Sequence, residues 1–554
     1  MADWKGVLRQ IKMMLPGTTA ERGTRTPIDK QPTQPSCGSK GATEIATSAA
    51  TLDSKVASKP AKAAHAAPAI QRAAAPTSVS PTPDPVLGGL PKTKGIPATF
   101  HSAFRSALTR QRHFKMPERW VADGARTQLP VSSDNAAVDI VIGLDFGTSY
   151  TKAAVGLRDQ IFPVSWEGIS ASTDRYLLPT EYSALGDGSC QLGQAPTVSY
   201  EQVHQKLKHP FIDPAVSKTS IADASVFVAL VLRYIRAWTF LRHRNKIGPS
   251  RIRWILNIGA PSNGLENDRL EDAYRRLGAA AWILSQRGAA IGLDDARQVV
   301  EQTADDQLPD DLIDLSVLPE FVAQIAGYIQ SAQRKSGLHA LVDVGGGTLD
   351  VVTFIVHEKD GEDVFPFLVP EVRPLGTQML DRNRLVDAPA IDESRLPDEL
   401  QPVLGAVEFA RTSGLPEANV RMRDRMFWEA VQHVVKAVFH KTKGRRYRLA
   451  PAWTDGMPTF LAGGGAKIDG YRESVKDGGE CIARVVNLMP LPAHPRLADY
   501  AGGTDEYQRI SVACGLALDA FTLGHIRPAR EVEDDVALRQ PVVERPDRDE
   551  LYAR

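Results

Sequence analysis

Apolar residues follow two patterns along this chain. Short continuous runs, VDIVIGLD (138–145), RIRWILNIGAP (251–261) and HALVDV (339–344), read as strands covered on both faces, where alternation disappears because neither face meets water. Between them, GLENDRLEDAYRRLGAAAWILSQ (264–286) and DRMFWEAVQHVVKAVFHK (424–441) carry apolar residues at helical spacing. This alternation predicts an α/β fold whose body begins near Ala136. A further run, SVFVALVLRYIRAWTFL (225–241), approaches the length needed to cross a bilayer but is interrupted by Arg233 and Arg236. It predicts an amphipathic core helix, and no membrane span is expected.

Upstream of the body the pattern changes. Trp4, Val7, Leu8, Ile11 and Leu15 share one helical face, with Lys5, Arg9 and Lys12 off it, which predicts a short amphipathic helix over 1–15. A lone helix of that length is marginal in water, so its face calls for a partner protein, the protein's own body or a membrane interface. Residues 16–97 are rich in Ala, Pro, Ser and Thr and poor in aromatics, the composition of a disordered linker that cannot bury enough apolar surface to offset chain entropy. The segment 98–135 is basic, with Arg105, Arg110, Arg112, Lys115 and Arg119 beside Phe100, Phe104 and Phe114. It reads as a solvated helix with its aromatic side on a neighbour rather than as a nucleic-acid surface.

Composition narrows the class further. Among 554 residues, 43% are hydrophobic, enough for a sizeable core, and Lys plus Arg equal Asp plus Glu at 66 each, so no global charge points to nucleic acid. Cys37, Cys190, Cys481 and Cys514 are scattered without CxxC spacing, which argues against a disulfide framework or a zinc site. With no apolar signal core in MADWKGVLRQIKMMLPG, a cytoplasmic location is expected.

The chemistry concentrates in two turns of one design. GLDFGTSYTKAAV gives Asp145, Gly147, Thr148, Ser149, Tyr150 and Lys152 after an apolar run and before another. About two hundred residues later LVDVGGGTLDVVTF gives Asp343, Gly345, Gly346, Gly347, Thr348 and Asp350 in the same setting. Glycines let backbone N–H groups approach phosphate oxygens, and hydroxyls add donors, so each hairpin tip favours an anion. A carboxylate beside polyphosphate is tolerable only with a cation between them, for which hydrated Mg²⁺ is the natural choice. Two such tips can clamp one nucleotide from opposite sides.

These motifs resemble the two phosphate motifs of the actin, Hsp70 and sugar-kinase superfamily of ATPases, and further segments resemble the Hsp70 nucleotide-binding domain in order. They are LPTEY and LGQAP; ILNIGAPSNGLENDRLEDAYRRLG; the connecting helix in SVLPEFVAQIAGY; VRPLGTQMLDRNRLV, with Gly376; the adenosine motif in TFLAGGGAKI; and a closing helix in ISVACGLALDAF. The resemblance spans about 138–525. It implies a two-lobed actin-like fold, duplicated ribonuclease H-like domains around a nucleotide cleft, with lobe I at 136–330, lobe II at 331–505, a closing helix over 506–526 returning to lobe I, and a charged tail at 527–554.

The resemblance also assigns roles. ATP or ADP and Mg²⁺ are the expected ligands, with Asp145 and Asp343 orienting the metal. The phosphate binders are Gly147, Thr148, Ser149, Tyr150, Lys152, Gly345, Gly346, Gly347, Thr348 and Gly376. Asp350 supports the ion side. Glu320 positions the attacking water, with Phe321 where the family has proline, and Lys206, in preference to Lys208, reaches the γ-phosphate. Gly463, Gly464, Gly465 and Lys467 face the adenosine, and the second adenine-flanking residue is expected within Ala418–Lys443. Sugar kinases share the DFGTS and GGGAK wording, and filament-forming actin relatives share GG-T-L-D, but the Pro-Ala element, connecting helix and second-lobe segment favour an Hsp70-like ATPase. Some thirty residues follow Phe521, too few for a peptide-binding domain. The expectation is therefore a slow Mg²⁺-dependent ATPase whose lobe closure is reported to a partner protein through residues 1–15 or the charged tail.

Overall fold

The structure is a computed structural model that describes residues 118–130 and 136–532 apart from short segments, the longest being 167–174, 262–267 and 387–402. The expected helix over 1–15, the linker 16–97, residues 98–117 of the basic segment and the tail from 533 onward lie outside the described residues.

The described body is mixed α/β and contains two large sheets of the same design. In the first, β1 (Ala137–Asp145), β2 (Tyr150–Leu157), β3 (Gln160–Pro163), β4 (Arg251–Ala260) and β5 (Leu312–Pro319) run in the order β3-β2-β1-β4-β5. The second holds β6 (Gly337–Val344), β7 (Leu349–Lys359), β8 (Glu362–Arg373), β9 (Met457–Ala462) and β10 (Val486–Met489), in the order β8-β7-β6-β9-β10. Strand senses match as well: β1 pairs antiparallel with β2 and parallel with β4, while β6 pairs antiparallel with β7 and parallel with β9. β1 and β6 are thus the central strands, and their continuous burial explains the uninterrupted apolar runs.

The helices cover these sheets. α1 (Lys218–Ile247) contains the 225–241 run and, although long and apolar enough to cross a membrane by length and composition, it is buried within the body. It is not amphipathic in the expected sense, because both arginines are buried too. Arg233 Nε donates to Ser285 O (3.0 Å), and Arg236 donates to Gly124 O (2.7 Å) and Ser285 O (2.9 Å) while its guanidinium lies over the Trp282 ring. Burial lowers the pKa of Arg236 to about 9, with the Arg233 charge adding to the effect. The carbonyls that receive these guanidiniums lie at or near the ends of α2 (Asp268–Gln286) and of the helix Glu118–Ala125, where unpaired carbonyls concentrate partial negative charge.

Between the sheets lie α3 (Glu320–Ile329) and, later in the chain after α4 (Glu417–Lys441) and α5 (Asp469–Glu480), α6 (Ser511–Leu516). One apolar cluster joins Ala154 and Ile161 of the first sheet to Leu341 and Val352 of the second through Phe321, Ile325 and Val512. α3 and α6 approach to backbone contact at Gly515, where a Cβ would stand 1.9 Å from Ala323 O. α6 is shorter than the helix expected over 506–526. Asn257 Nδ2 donates to Leu516 O and Leu518 O, satisfying its last carbonyls, and the chain then leaves to form β11 (His525–Arg527) beside β8.

A buried polar link ties α3 to β6. Tyr328 Oη lies 2.9 Å from His339 Nε2 and accepts from Lys335 N, while His339 Nδ1 lies 2.9 Å from Gly337 O. A carbonyl can only accept, so Nδ1 carries the proton, Nε2 accepts from the phenol, and every group is satisfied by the neutral imidazole. Tyr328→Phe leaves His339 Nε2 buried without a donor and is expected to lower stability by about 1–3 kcal/mol in urea unfolding; an unchanged midpoint would contradict this arrangement.

Candidate functional site

The ends of β1 and β6 carry the site. β1 finishes on Asp145, and β6 carries Asp343 just before its last residue, Val344; each aspartate faces a residue seven positions later across its hairpin, Lys152 opposite Asp145 and Asp350 opposite Asp343. This one difference divides their chemistry. Lys152 Nζ donates to Asp145 Oδ2 at 3.0 Å, so the first carboxylate already has a countercharge. In the second hairpin two carboxylates face one another, which is destabilising without a further cation.

A third carboxylate joins them. Pro319 ends β5, and Glu320 opens α3 at once, so its side chain projects from the first turn into the same space. Oxygens of Glu320, Asp343 and Asp350 lie within 4.8 Å of one another. Asp343 Oδ1 and Asp350 Oδ1 are buried with no hydrogen-bond partner among the described residues. Burial first, then the charges of Glu320 and Asp145, raise the Asp343 pKa to about 6, against Lys152 and a hydrogen bond from Gln324. Asp350 is raised well above the carboxylate range by burial and then by Asp343 and Glu320, with Lys208 and a bond from Thr348 opposing. Three oxygen donors with orphaned buried atoms fit a hard divalent cation such as Mg²⁺. The expected metal pair was Asp145 and Asp343; the structure groups Asp343 with Glu320 and Asp350, and leaves Asp145 at the margin with Lys152.

Of the two lysines expected near this site, the structure brings Lys208 to Glu320. Lys208 is buried, and its Nζ lies 2.5 Å from Glu320 Oε1. Burial alone would lower its pKa, but Glu320, Tyr274 and Asp145 raise it, so it remains an ammonium. Lys206, preferred from the sequence, takes a left-handed backbone (φ +59) just before the short helix His209–Ile212, and that reversal delivers Lys208 rather than Lys206 to Glu320. No apolar periodicity could have separated the two lysines.

The two hairpin tips face each other. Gln378 Nε2 donates to Ser149 Oγ at 2.7 Å, and a Cβ at Gly346 would stand 2.3 Å from Ser149 Oγ, so only glycine permits this approach. Carbonyls of each tip are tied backwards. Gly345, Gly346 and Gly347 accept from the amides of Thr377, Gln378 and Gly376 at 3.0, 2.8 and 3.3 Å, and Gly147 and Ser149 accept from Thr180 Oγ1 and N at 2.9 and 3.0 Å. The Gly346 and Gly347 N–H groups have no backbone partner among the described residues, as an anion site requires. Thr180, Gln324 and Gln378 were missed from the sequence, although Gln324 stands one helical turn after Glu320.

The remaining expected residues spread outward. Tyr150 opens β2 and pairs with Pro179. Gly463 follows β9 with φ +81, and a Cβ there would stand 2.2 Å from Asp343 Oδ1, so the stretch expected to face an adenosine adjoins the carboxylates. Gly465 packs against Val344, while Gly464 and Lys467 are exposed on the 3₁₀ turn Gly464–Lys467. Just beyond, a groove of about 450 Å³ opens between α4 and α5, lined by Arg421, Arg425, Trp428, Gly470 and Asp477 among others. It includes residues of the stretch Ala418–Lys443 from which an adenine contact was expected.

The carboxyl group of Asp343 yields a pH dependence with a definite sign. Its folded pKa lies above the unfolded value of about 4, so its contribution to stability is present below pH 4 and is lost as pH rises through about 6. Protons and metal then compete for one cluster. Thermal unfolding is expected to show little Mg²⁺ stabilisation at pH 5 and more at pH 7.5, and Asp350→Asn is expected to raise the metal-free midpoint at pH 7.5 while abolishing the Mg²⁺ shift. A Mg²⁺ shift independent of pH and of Asp350 would remove the cluster from consideration as a cation site. The chain matches no protein-family model and no curated protein sequence.

Proposed function

We propose that this chain is a Mg²⁺-dependent ATP-binding switch of the two-lobed actin-like kind, closest in character to the nucleotide-binding part of Hsp70, that hydrolyses ATP slowly. One observation carries the reading: the same sheet design occurs twice, and each copy presents a glycine-hydroxyl tip, facing the other across a buried carboxylate cluster. Two donor-rich tips suit a polyphosphate, and the cluster suits the cation that polyphosphate brings.

In this reading Asp343 and Asp350, with Glu320 beside them, would hold a hydrated Mg²⁺, which would supply neutralisation of phosphate charge. The hydroxyls of Thr148, Ser149 and Thr348 and the free amides of Gly346 and Gly347 orient the terminal phosphate. Lys208 has two roles: its ammonium draws charge from that phosphate, and its contact with Glu320 Oε1 fixes where that carboxylate points. Glu320 accepts a hydrogen bond from the attacking water and aims its lone pair at phosphorus. The bond from water oxygen to phosphorus forms as the bond to the bridging oxygen breaks, giving ADP and phosphate. Positioning and charge provide most of the rate in phosphoryl transfer. Cleavage then releases the tips from one another, and a partner protein reads the change through residues 1–15 or the charged tail.

Phosphate release and nucleotide binding, measured side by side, test the assignment. Asp343→Asn and Lys208→Ala are expected to lose about 10²–10³ in turnover measured at saturating ATP, and Lys206→Ala to stay near the parent rate. Undiminished turnover in Asp343→Asn, or a defect in Lys206→Ala that exceeds that of Lys208→Ala, would refute it. Sedimentation with ATP adds a separate arm: the switch remains a small species, whereas pelleting polymers would favour an actin-like filament.

A further inference from the structure

Behind the carboxylate cluster, α2 carries a tyrosine to the end of the first sheet. Trp282 meets Trp254 near the start of β4, with ring centroids 6.0 Å apart, and Gly278 lies against Ile258, four residues further along that strand. A Cβ at Gly278 would stand 2.8 Å from the side chains of both Ile258 and Leu315, so the helix hugs β4 and β5 closely. α2 therefore runs back along β4, and Tyr274, one turn before Gly278, comes to the strand end. Glu320 reaches the same place: a Cβ at Gly259 would stand 2.9 Å from Glu320 Cγ and 3.6 Å from its Oε1.

The Tyr274 ring is fixed by residues tied to the site. Its centroid lies 5.1 Å from that of Phe211, which meets Phe146 edge-on at 6.0 Å. Phe211 N donates to Lys208 O at 3.0 Å, and Phe146 directly follows Asp145. Tyr274 is fully buried, yet its hydroxyl has no hydrogen-bond partner among the described residues. The buried hydroxyls of Tyr234, Tyr328 and Tyr471 all have one.

The surroundings of this hydroxyl are charged rather than apolar. Burial first raises the phenol pKa; Lys208 opposes that rise, while Glu320, Asp145 and Asp350 add to it. The group thus stays a neutral phenol, with one proton to give and lone pairs to receive, within electrostatic reach of the Lys208–Glu320 pair. A buried hydroxyl without a partner is costly, and phenylalanine would fill the same space without that cost. A tyrosine here therefore calls for a partner that the chain itself does not provide.

We propose that Tyr274 is a positioning residue of the phosphoryl-transfer site: its phenol oxygen accepts one hydrogen of the attacking water while Glu320 accepts the other, and its own O–H turns toward the carboxylates. With both hydrogens engaged, a lone pair of the water is left to face phosphorus. The hydroxyl finds its partner in the occupied site, so ligand binding removes a cost that the free protein carries. This role rests on the nucleotide reading of the carboxylate cluster.

Steady-state ATP hydrolysis and thermal unfolding of the full chain, parent against Tyr274→Phe, test it, with Asp343→Asn as the reference for the site. Tyr274→Phe is expected to lower kcat about tenfold at unchanged KM for ATP in Mg²⁺. Its nucleotide-free midpoint is expected to rise, opposite to the loss expected for Tyr328→Phe, and the further shift added by saturating ATP and Mg²⁺ to shrink. An unchanged kcat in Tyr274→Phe, with turnover lost in Asp343→Asn, would overturn the positioning role and leave the nucleotide reading standing. A lowered nucleotide-free midpoint in Tyr274→Phe would show that the free protein already satisfies the hydroxyl, and would overturn the role as well. A parent that neither hydrolyses ATP nor is stabilised by it would remove the nucleotide reading and the role together.

Discussion

The constraint on which the site depends is the meeting of Asp343 and Asp350 across one hairpin, with Glu320 beside them. Carboxylates directly opposed in a buried setting repel, and a β-ladder alone has no remedy for this. The fold does not relax the repulsion; it surrounds it. β6 and β7 are the innermost strands of their sheet, α3 is packed between the two sheets, and Gly463 lets the chain pass directly beside Asp343, so the three groups are held close together. A counterion such as the proposed Mg²⁺ would relieve this concentration of charge. The first hairpin shows the alternative: Lys152 at the equivalent position neutralises Asp145 from within.

The rest of the architecture positions that cluster. The repeated sheet order presents two hairpin tips of one design, and the Gln378 to Ser149 hydrogen bond links them. Tying the tip carbonyls back to Thr180 and to the start of helix Thr377–Arg384 turns the opposite faces of those peptides toward the space between the tips. α3 and α6, in backbone contact at Gly515, form the joint between the sheets. In the proposed switch, a change in the distance between the tips would be accommodated at that joint.

Much of this was legible in the sequence because the central strands are buried on both faces, and such strands write themselves as unbroken apolar runs. The paired aspartates, the glycine tips and Glu320 were readable for the same reason: they follow those runs directly. The seven-residue offset that sets Lys152 and Asp350 opposite their partners was present in the text as well, but which carboxylates it groups together required the register. Lys208 was not separable from Lys206, because the choice rests on a left-handed residue and one short helix turn. The buried pair Arg233 and Arg236 was read as a polar face, since a sequence does not reveal that two helix ends converge on them. Thr180 and Gln378 act through backbone geometry, which leaves no pattern to read.

The central claim is that the facing tips and the carboxylate cluster together form one site for a metal-bound polyphosphate. Equilibrium titration of the purified full chain with ATP, in the presence and absence of Mg²⁺, tests it most directly. The account predicts saturable binding at one site per chain that weakens at least about tenfold when Mg²⁺ is withheld or when Asp350→Asn removes one donor. Absence of ATP binding in Mg²⁺, or binding indifferent to both the metal and Asp350, would contradict it.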